Sequence, residues 1–192
     1  MDITLNSNGS GNIALEYHIS KSLDSLGKLD GNERWNTIPA GRADFERSLN
    51  RLPEMKLLSF SSKENEKDLI IAAKMEFKTI QGLLDFLDAG GRRSSFSGNE
   101  KSGRITLTLA KAAEGKSPAL YKLLEEISES YSVRMAMSFP AGGNLAVTDG
   151  QGRALAPVPG TEVQASGKKV FFSFPLYEVL SSTDGINVEF SW

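Results

Sequence analysis

A chain of 192 residues is long enough for one domain with a sizeable core. Its 40% hydrophobic and 24% charged residues place it with ordinary globular proteins rather than disordered ones. A net charge of −2 gives no basic excess for nucleic acid, and no run reaches the roughly 18 apolar residues of a membrane-spanning helix. With no cysteine, disulfides, thiolate metal sites and cysteine nucleophiles are removed together.

The chain enters a strand pattern at Met1-Asp2-Ile3. Two origins fit such a start: a cytoplasmic protein, or an envelope protein in which Met1 replaces a leader and anchor cysteine. Ile3 and Leu5 alternate with Asp2, Thr4 and Asn6, and Ser7-Asn8-Gly9-Ser10-Gly11 is a turn by composition. Ile13, Leu15, Tyr17 and Ile19 then alternate with Ala14, Glu16, His18 and Ser20, so the pair predicts an antiparallel hairpin. Ser20 to Leu26 suits a short helix ended by Gly27. Residues 28–40 are polar and irregular, with Trp35 as the one large apolar anchor.

Arg42 to Leu52 reads as a helix with Phe45, Leu49 and Leu52 on one face, stopped by Pro53. Met55 to Phe60 is a strand, and residues 61–66 are a polar turn. From Lys67 the period is two, with Leu69, Ile71, Ala73, Met75 and Phe77 sharing a face. At Thr79 it changes: Ile80, Leu83, Leu84 and Leu87 form the stripe of a short helix closed by Gly90-Gly91. Arg92 to Lys101 is a loop or an irregular edge strand. Ile105, Leu107 and Leu109 mark another strand.

Ser117-Pro118 opens a helix whose apolar stripe is Leu120, Leu123, Leu124 and Ile127. Val133, Met135, Met137 and Phe139 alternate up to Pro140. Asn144 to Ala156 looks like a small hairpin around Asp149-Gly150-Gln151-Gly152. Val163 begins an extended piece that turns at Ser166-Gly167. Val170, Phe172 and Phe174 are a strand face, Pro175 to Leu180 a short helix, and Ile186 to Trp192 a last strand.

A strand feeding a short helix therefore recurs at Ile13–Leu26, Leu69–Leu87, Ile105–Ile127 and Val170–Leu180. The spacing is too uneven for a solenoid repeat. Short turns join most strand neighbours, which favours antiparallel pairing. The expected fold is α+β: a curved, mainly antiparallel and partly barrel-like sheet with several short amphipathic helices packed on it. No linker divides two cores, so residues 1–192 are expected to form a single globular domain.

The chain carries no catalytic signature. Gly9-Ser10-Gly11-Asn12-Ile13-Ala14 matches G-x-G-x-x-A, but a strand follows where a dinucleotide site needs a helix, so the hairpin reading prevails. His18, the only histidine, lies on a polar strand face and reads as a solvated or edge residue. The pairs Asp85/Asp88 and Glu125/Glu126 sit on solvated helix faces. No cofactor and no metal are expected, and the chain reads as a non-enzyme.

Met75, Phe77, Met135, Met137, Phe139, Phe172 and Phe174 fall on inward strand faces. Core is the plain reading, each burial stabilising by about 1.5–3 kcal/mol. The sharper reading makes them the lining of an apolar cavity, since soft methionines and aromatics suit a lipid chain.

The opening hairpin (Asp2-Ile3-Thr4-Leu5, then Asn8-Gly9-Ser10-Gly11) resembles the first hairpin of LppM-like bacterial envelope lipoproteins. The junction Met75-Glu76-Phe77-Lys78-Thr79-Ile80 with Leu83-Leu84 resembles their central segment. Phe139-Pro140, the Gly-rich hairpin and Lys169-Val170-Phe171-Phe172-Ser173-Phe174-Pro175-Leu176 resemble their C-terminal part. The family's anchor cysteine is absent here. The resemblance implies the soluble ectodomain of a lipid-anchored envelope protein, non-enzymatic, that takes lipid or glycolipid. It implies attachment to the membrane through an N-terminal lipid anchor outside this chain. The other class to weigh is a structural or protein-interaction module of the envelope without a small-molecule ligand.

Overall fold

The computed structural model describes residues 1–21, 39, 41–88, 91–111, 122, 125–128, 130–156 and 158–192. The first half of the chain gives β1 (Asp2–Leu5), β2 (Gly11–Ser20), α1 (Arg42–Leu49), β3 (Met55–Glu64), β4 (Asp68–Phe77) and α2 (Ile80–Leu87). After these come β5 (Ser94–Gly98), β6 (Gly103–Ala110), β7 (Ser132–Ser138) and β8 (Asn144–Thr148). The chain closes with β9 (Glu162–Ser166), β10 (Lys169–Pro175), α3 (Leu176–Ser181) and β11 (Ile186–Ser191). Of the helix read over Ser20–Leu26, Ser20 ends β2 and residues 22–26 lie outside the described residues, as do Trp35 and the Ser117-Pro118 helix start.

The strands form two sheets. One is seven-stranded in the order β3-β4-β2-β1-β7-β10-β9, the other four-stranded in the order β5-β6-β11-β8. Every pairing is antiparallel except β1 with β7, where Ile3 lies opposite Met137. Mixed α and β structure on mostly antiparallel sheets therefore stands as expected, and the barrel-like part is corrected. Neither sheet closes: β3 and β9 end the larger one, β5 and β8 the smaller. The larger sheet's apolar face is covered by the second sheet instead of by curling on itself. Ile105, Leu107, Val188 and Phe190 from β6 and β11 share one buried cluster with Met75, Phe77, Met137 and Val170.

The alternating residues explain the layering. On β4, Ile71, Ala73, Met75 and Phe77 are buried while Lys74 and Glu76 are exposed. On β10 and β11, Phe172 and Phe190 meet at 6.1 Å between ring centroids, and Phe172 meets Phe174 at 5.6 Å. The helix after β4 starts at Thr79, whose hydroxyl accepts the Gly82 N–H at 3.1 Å.

Three local expectations shift. Residues 61–64 continue β3 opposite Leu69–Ala72 instead of forming a turn, because this arm is solvated on both faces and carries no apolar alternation. Asn144–Ala156 forms only half a hairpin: β8 returns through a single bridge, Thr148 to Ala154. Ile127, read as part of an apolar helix stripe, is exposed.

Candidate functional site

Alternation places Ile13, Leu15 and Tyr17 on the inner face of β2, but their cover runs out along the strand. Ile13 is buried, whereas Leu15 and Tyr17 stay half-buried. The chain returns over that face with α1, which turns Phe45 and Leu49 inward and leaves Leu52 half-buried beyond its end. From the other side α2 brings Phe86. Between them lies a groove of about 420 Å³, within the 300–1,000 Å³ typical of small-molecule sites. Phe45 meets Phe60 of β3 at 5.8 Å, which steadies one wall.

The polar groups of this groove are few. Tyr17 donates its hydroxyl to the Pro39 carbonyl. Burial pushes the Tyr17 phenol up to about 12, and the negative Asp44 carboxylate adds to the rise. Arg51 and Asp85 stand at the rim, where Asp85 accepts the Gln81 amide at 2.7 Å. The result is an apolar trough with one half-buried phenol and two charges of opposite sign at its edge. It suits a hydrocarbon chain better than a polar metabolite.

The seven residues singled out by alternation lie elsewhere. Met75, Phe77, Met135, Met137, Phe139, Phe172 and Phe174 are all in the buried cluster, none more than 5% exposed. Among the described residues none of them lines the groove. Met135 backs a polar cleft described below. Phe174 backs a polar pocket beside α3, and Phe139 a shallow depression at the Asn6–Asn8 turn. The groove residues Leu15, Tyr17, Phe45, Leu49 and Leu52 were legible as apolar stripes. That α1 and α2 straddle β2 without closing over it depends on how the helices splay, which no stripe encodes.

The second feature is a cleft of about 610 Å³ beside β2 and β7. Here His18 does not stand alone. Its Nδ1 lies 3.5 Å from Asp68 Oδ2 and its Nε2 3.4 Å from Glu16 Oε1. Tyr131 donates its hydroxyl to the other Asp68 oxygen at 2.7 Å. That bond, and then burial, raise the Tyr131 pKa. An Asp-His pair orients an imidazole for base catalysis, but the second nitrogen here faces a carboxylate and not a hydroxyl nucleophile. Among the described residues no group of three or more His, Asp or Glu side chains is placed to hold a metal.

Two further carboxylates, Asp149 and Asp88, hold loop backbone. Asp149 accepts the Gln151 and Arg153 N–H groups and the Arg153 guanidinium at 2.7 Å, and these bonds hold its pKa below the usual carboxylate value. Asp88 does the same for the Arg93 and Ser94 N–H groups ahead of β5. No described helix is long and apolar enough to cross a membrane. No family model matches the chain, and neither a curated protein nor a solved structure matches it.

Proposed function

We propose that the chain is the soluble, non-enzymatic domain of a bacterial envelope lipoprotein, and that it holds an acyl chain of a lipid or glycolipid in the groove between β2, α1 and α2. The groove carries this reading. Leu15 and Tyr17 keep the inward register of β2 yet remain half-buried, and Phe45, Leu49 and Phe86 face the same space. Apolar side chains left uncovered in register are what a hydrocarbon ligand would complete. The envelope location and the anchor ahead of Asp2 rest on the resemblance of the hairpin, the Met75–Leu84 junction and the Lys169–Leu176 segment to LppM-like lipoproteins.

Native mass spectrometry of protein isolated from cells, followed by titration with a fluorescent acyl probe, tests the reading. A retained lipid, or probe binding lost in Leu15→Arg with the fold intact, supports it. Protein that carries no lipid and binds no probe overturns it. The interaction module without a ligand would then be the reading to pursue.

A further inference from the structure

The four sheet edges are not alike. An edge strand exposes unpaired N–H and C=O groups, and proteins usually blunt it with charge, a bulge or a covering segment. At β3 the register shifts between Leu57 and Ser59, and Lys56 and Lys63 lie along the strand. At β8 the chain folds back on the edge, with the Leu155 N–H donating to the Val147 carbonyl. Helix α2 packs on β5, which ends at Gly98 with φ +105. By contrast β9 has no lysine, no register shift and, among the described residues, no strand paired to its outer side; β8 of the smaller sheet passes close by, yet all residues of β9 stay exposed.

The direction of its free groups follows from the register. The Phe139 N–H donates to the Lys168 carbonyl, so along β10 the backbone groups of Val170, Phe172 and Phe174 face β7. Those of Lys169, Phe171 and Ser173 then face β9, where their partners are Ser166, Gln164 and Glu162. Val163 and Ala165 are left with their N–H and C=O groups aimed at solvent. The Val163 side chain shares the face of Phe172, its partner across the ladder, yet Val163 is 47% exposed where Phe172 is 0%.

We propose that β9 is a self-association edge, through which a second copy of this chain adds antiparallel and joins two seven-stranded sheets into one. The strand is complementary to itself about Gln164. With the two-fold axis there, Val163 pairs with Ala165 of the second copy through the free backbone groups, and the reverse pair repeats it. The two apolar side chains then cover one another. Glu162 falls opposite Ser166 of the second copy and diagonal to its Lys168 at the hairpin tip, so opposite charges meet and like charges do not. Neither Glu162 nor Lys168 has an ion pair within the chain among the described residues. The Gly167 carbonyl is already taken by the Gly143 N–H, which limits the ladder to Val163 and Ala165 and makes the association weak.

Sedimentation equilibrium from about 10 μM to about 1 mM reads this directly, and dimer should appear within that range. Val163→Pro removes an outward N–H, a position where proline leaves the β9–β10 ladder whole. It should lower dimer affinity at least about tenfold with the circular dichroism unchanged. Independently, Glu162→Lys should weaken the dimer, and adding Lys168→Glu should restore it. Wild-type protein that stays monomeric to about 1 mM overturns the proposal. So does a dimer untouched by Val163→Pro and by Glu162→Lys.

Discussion

Tyr131 donates its hydroxyl to Asp68 across 2.7 Å, tying the start of β7 to the start of β4 although 63 residues separate them. Asp68 is 9% exposed, so its carboxylate has little water to replace that donor. Tyr131→Phe keeps the ring and deletes the hydroxyl, with its bond to Asp68 and its hydrogen bond with Ser20, and should cost about 1–3 kcal/mol. Urea denaturation measures it, with the midpoint falling and the slope unchanged. A midpoint equal to wild type would mean that solvent or His18 satisfies Asp68 unaided.

The same hydroxyl and that of Tyr17 predict an alkaline weakness. Both pKa values are raised in the fold, Tyr17 to about 12 by burial and then Asp44, Tyr131 by its bond to Asp68 and then burial. An unfolded tyrosine titrates near about 10. Above that pH the unfolded chain gives up protons that the fold retains, so unfolding gains. The contribution is whole below about pH 10 and lost as pH climbs through the folded values. The urea midpoint should hold level up to about pH 10 and then fall, and the fall should flatten in Tyr17→Phe/Tyr131→Phe. An identical fall in that double variant would place the effect on other groups.

Phe172 belongs to the larger sheet and Phe190 to the smaller, and their rings meet at 6.1 Å. Phe172 is wholly buried, so truncation opens a void in the seam between the sheets. Phe172→Ala should destabilise by about 3–5 kcal/mol. Thermal or urea unfolding checks it. A loss below about 2 kcal/mol would show that the two sheets collapse into the gap.

Gly11 opens β2 where nothing larger fits. A Cβ there would lie 2.0 Å from the Thr4 carbonyl oxygen and 2.3 Å from Cζ of Phe77. The first is backbone and cannot swing aside. Gly11→Ala should cost at least about 1–3 kcal/mol by overpacking. Gly152→Ala is a useful contrast: no atom lies within 4 Å, so its cost comes from the φ of +79 alone.

Residue spacing predicts the local elements well because it reports which face is apolar. The β4–α2 junction is found at its expected place: Phe77 ends the period of two and Ile80 begins the helix. The hairpin from Asp2 pairs as its turn composition requires, Ile3 opposite Ile13. What spacing does not carry is the partner of each face. Nothing in Ile3 or Met137 shows that they lie side by side in parallel, and nothing in Phe190 shows that its strand leaves the first sheet for a second one. The candidate site fails to show for the same reason. Leu15 and Phe45 look like core residues, and only the splay of α1 and α2 leaves them facing a space. His18 could not be joined to Asp68 by spacing, since the two positions are 50 apart in the chain.

The parallel pairing of β1 with β7, the one such pairing among the described strands, also sets an order of events. Strands β1 to β4 find their partners within residues 2–77, and β7, β9 and β10 within residues 132–175, but Ile3 must wait for Met137. Pairings this distant slow folding more than they weaken the product. The two half-sheets are therefore expected to form first and to zip together late. In pulsed hydrogen exchange, the Ala136 N–H, which donates to Met1 O at 2.9 Å, should become protected after the β2–β4 amides; simultaneous protection would rule the sequence out. During synthesis the nascent chain would then carry an open β1 edge until residue 138 has emerged. That edge is the stretch a holding chaperone would have to cover, and the point at which a stalled or truncated chain would aggregate.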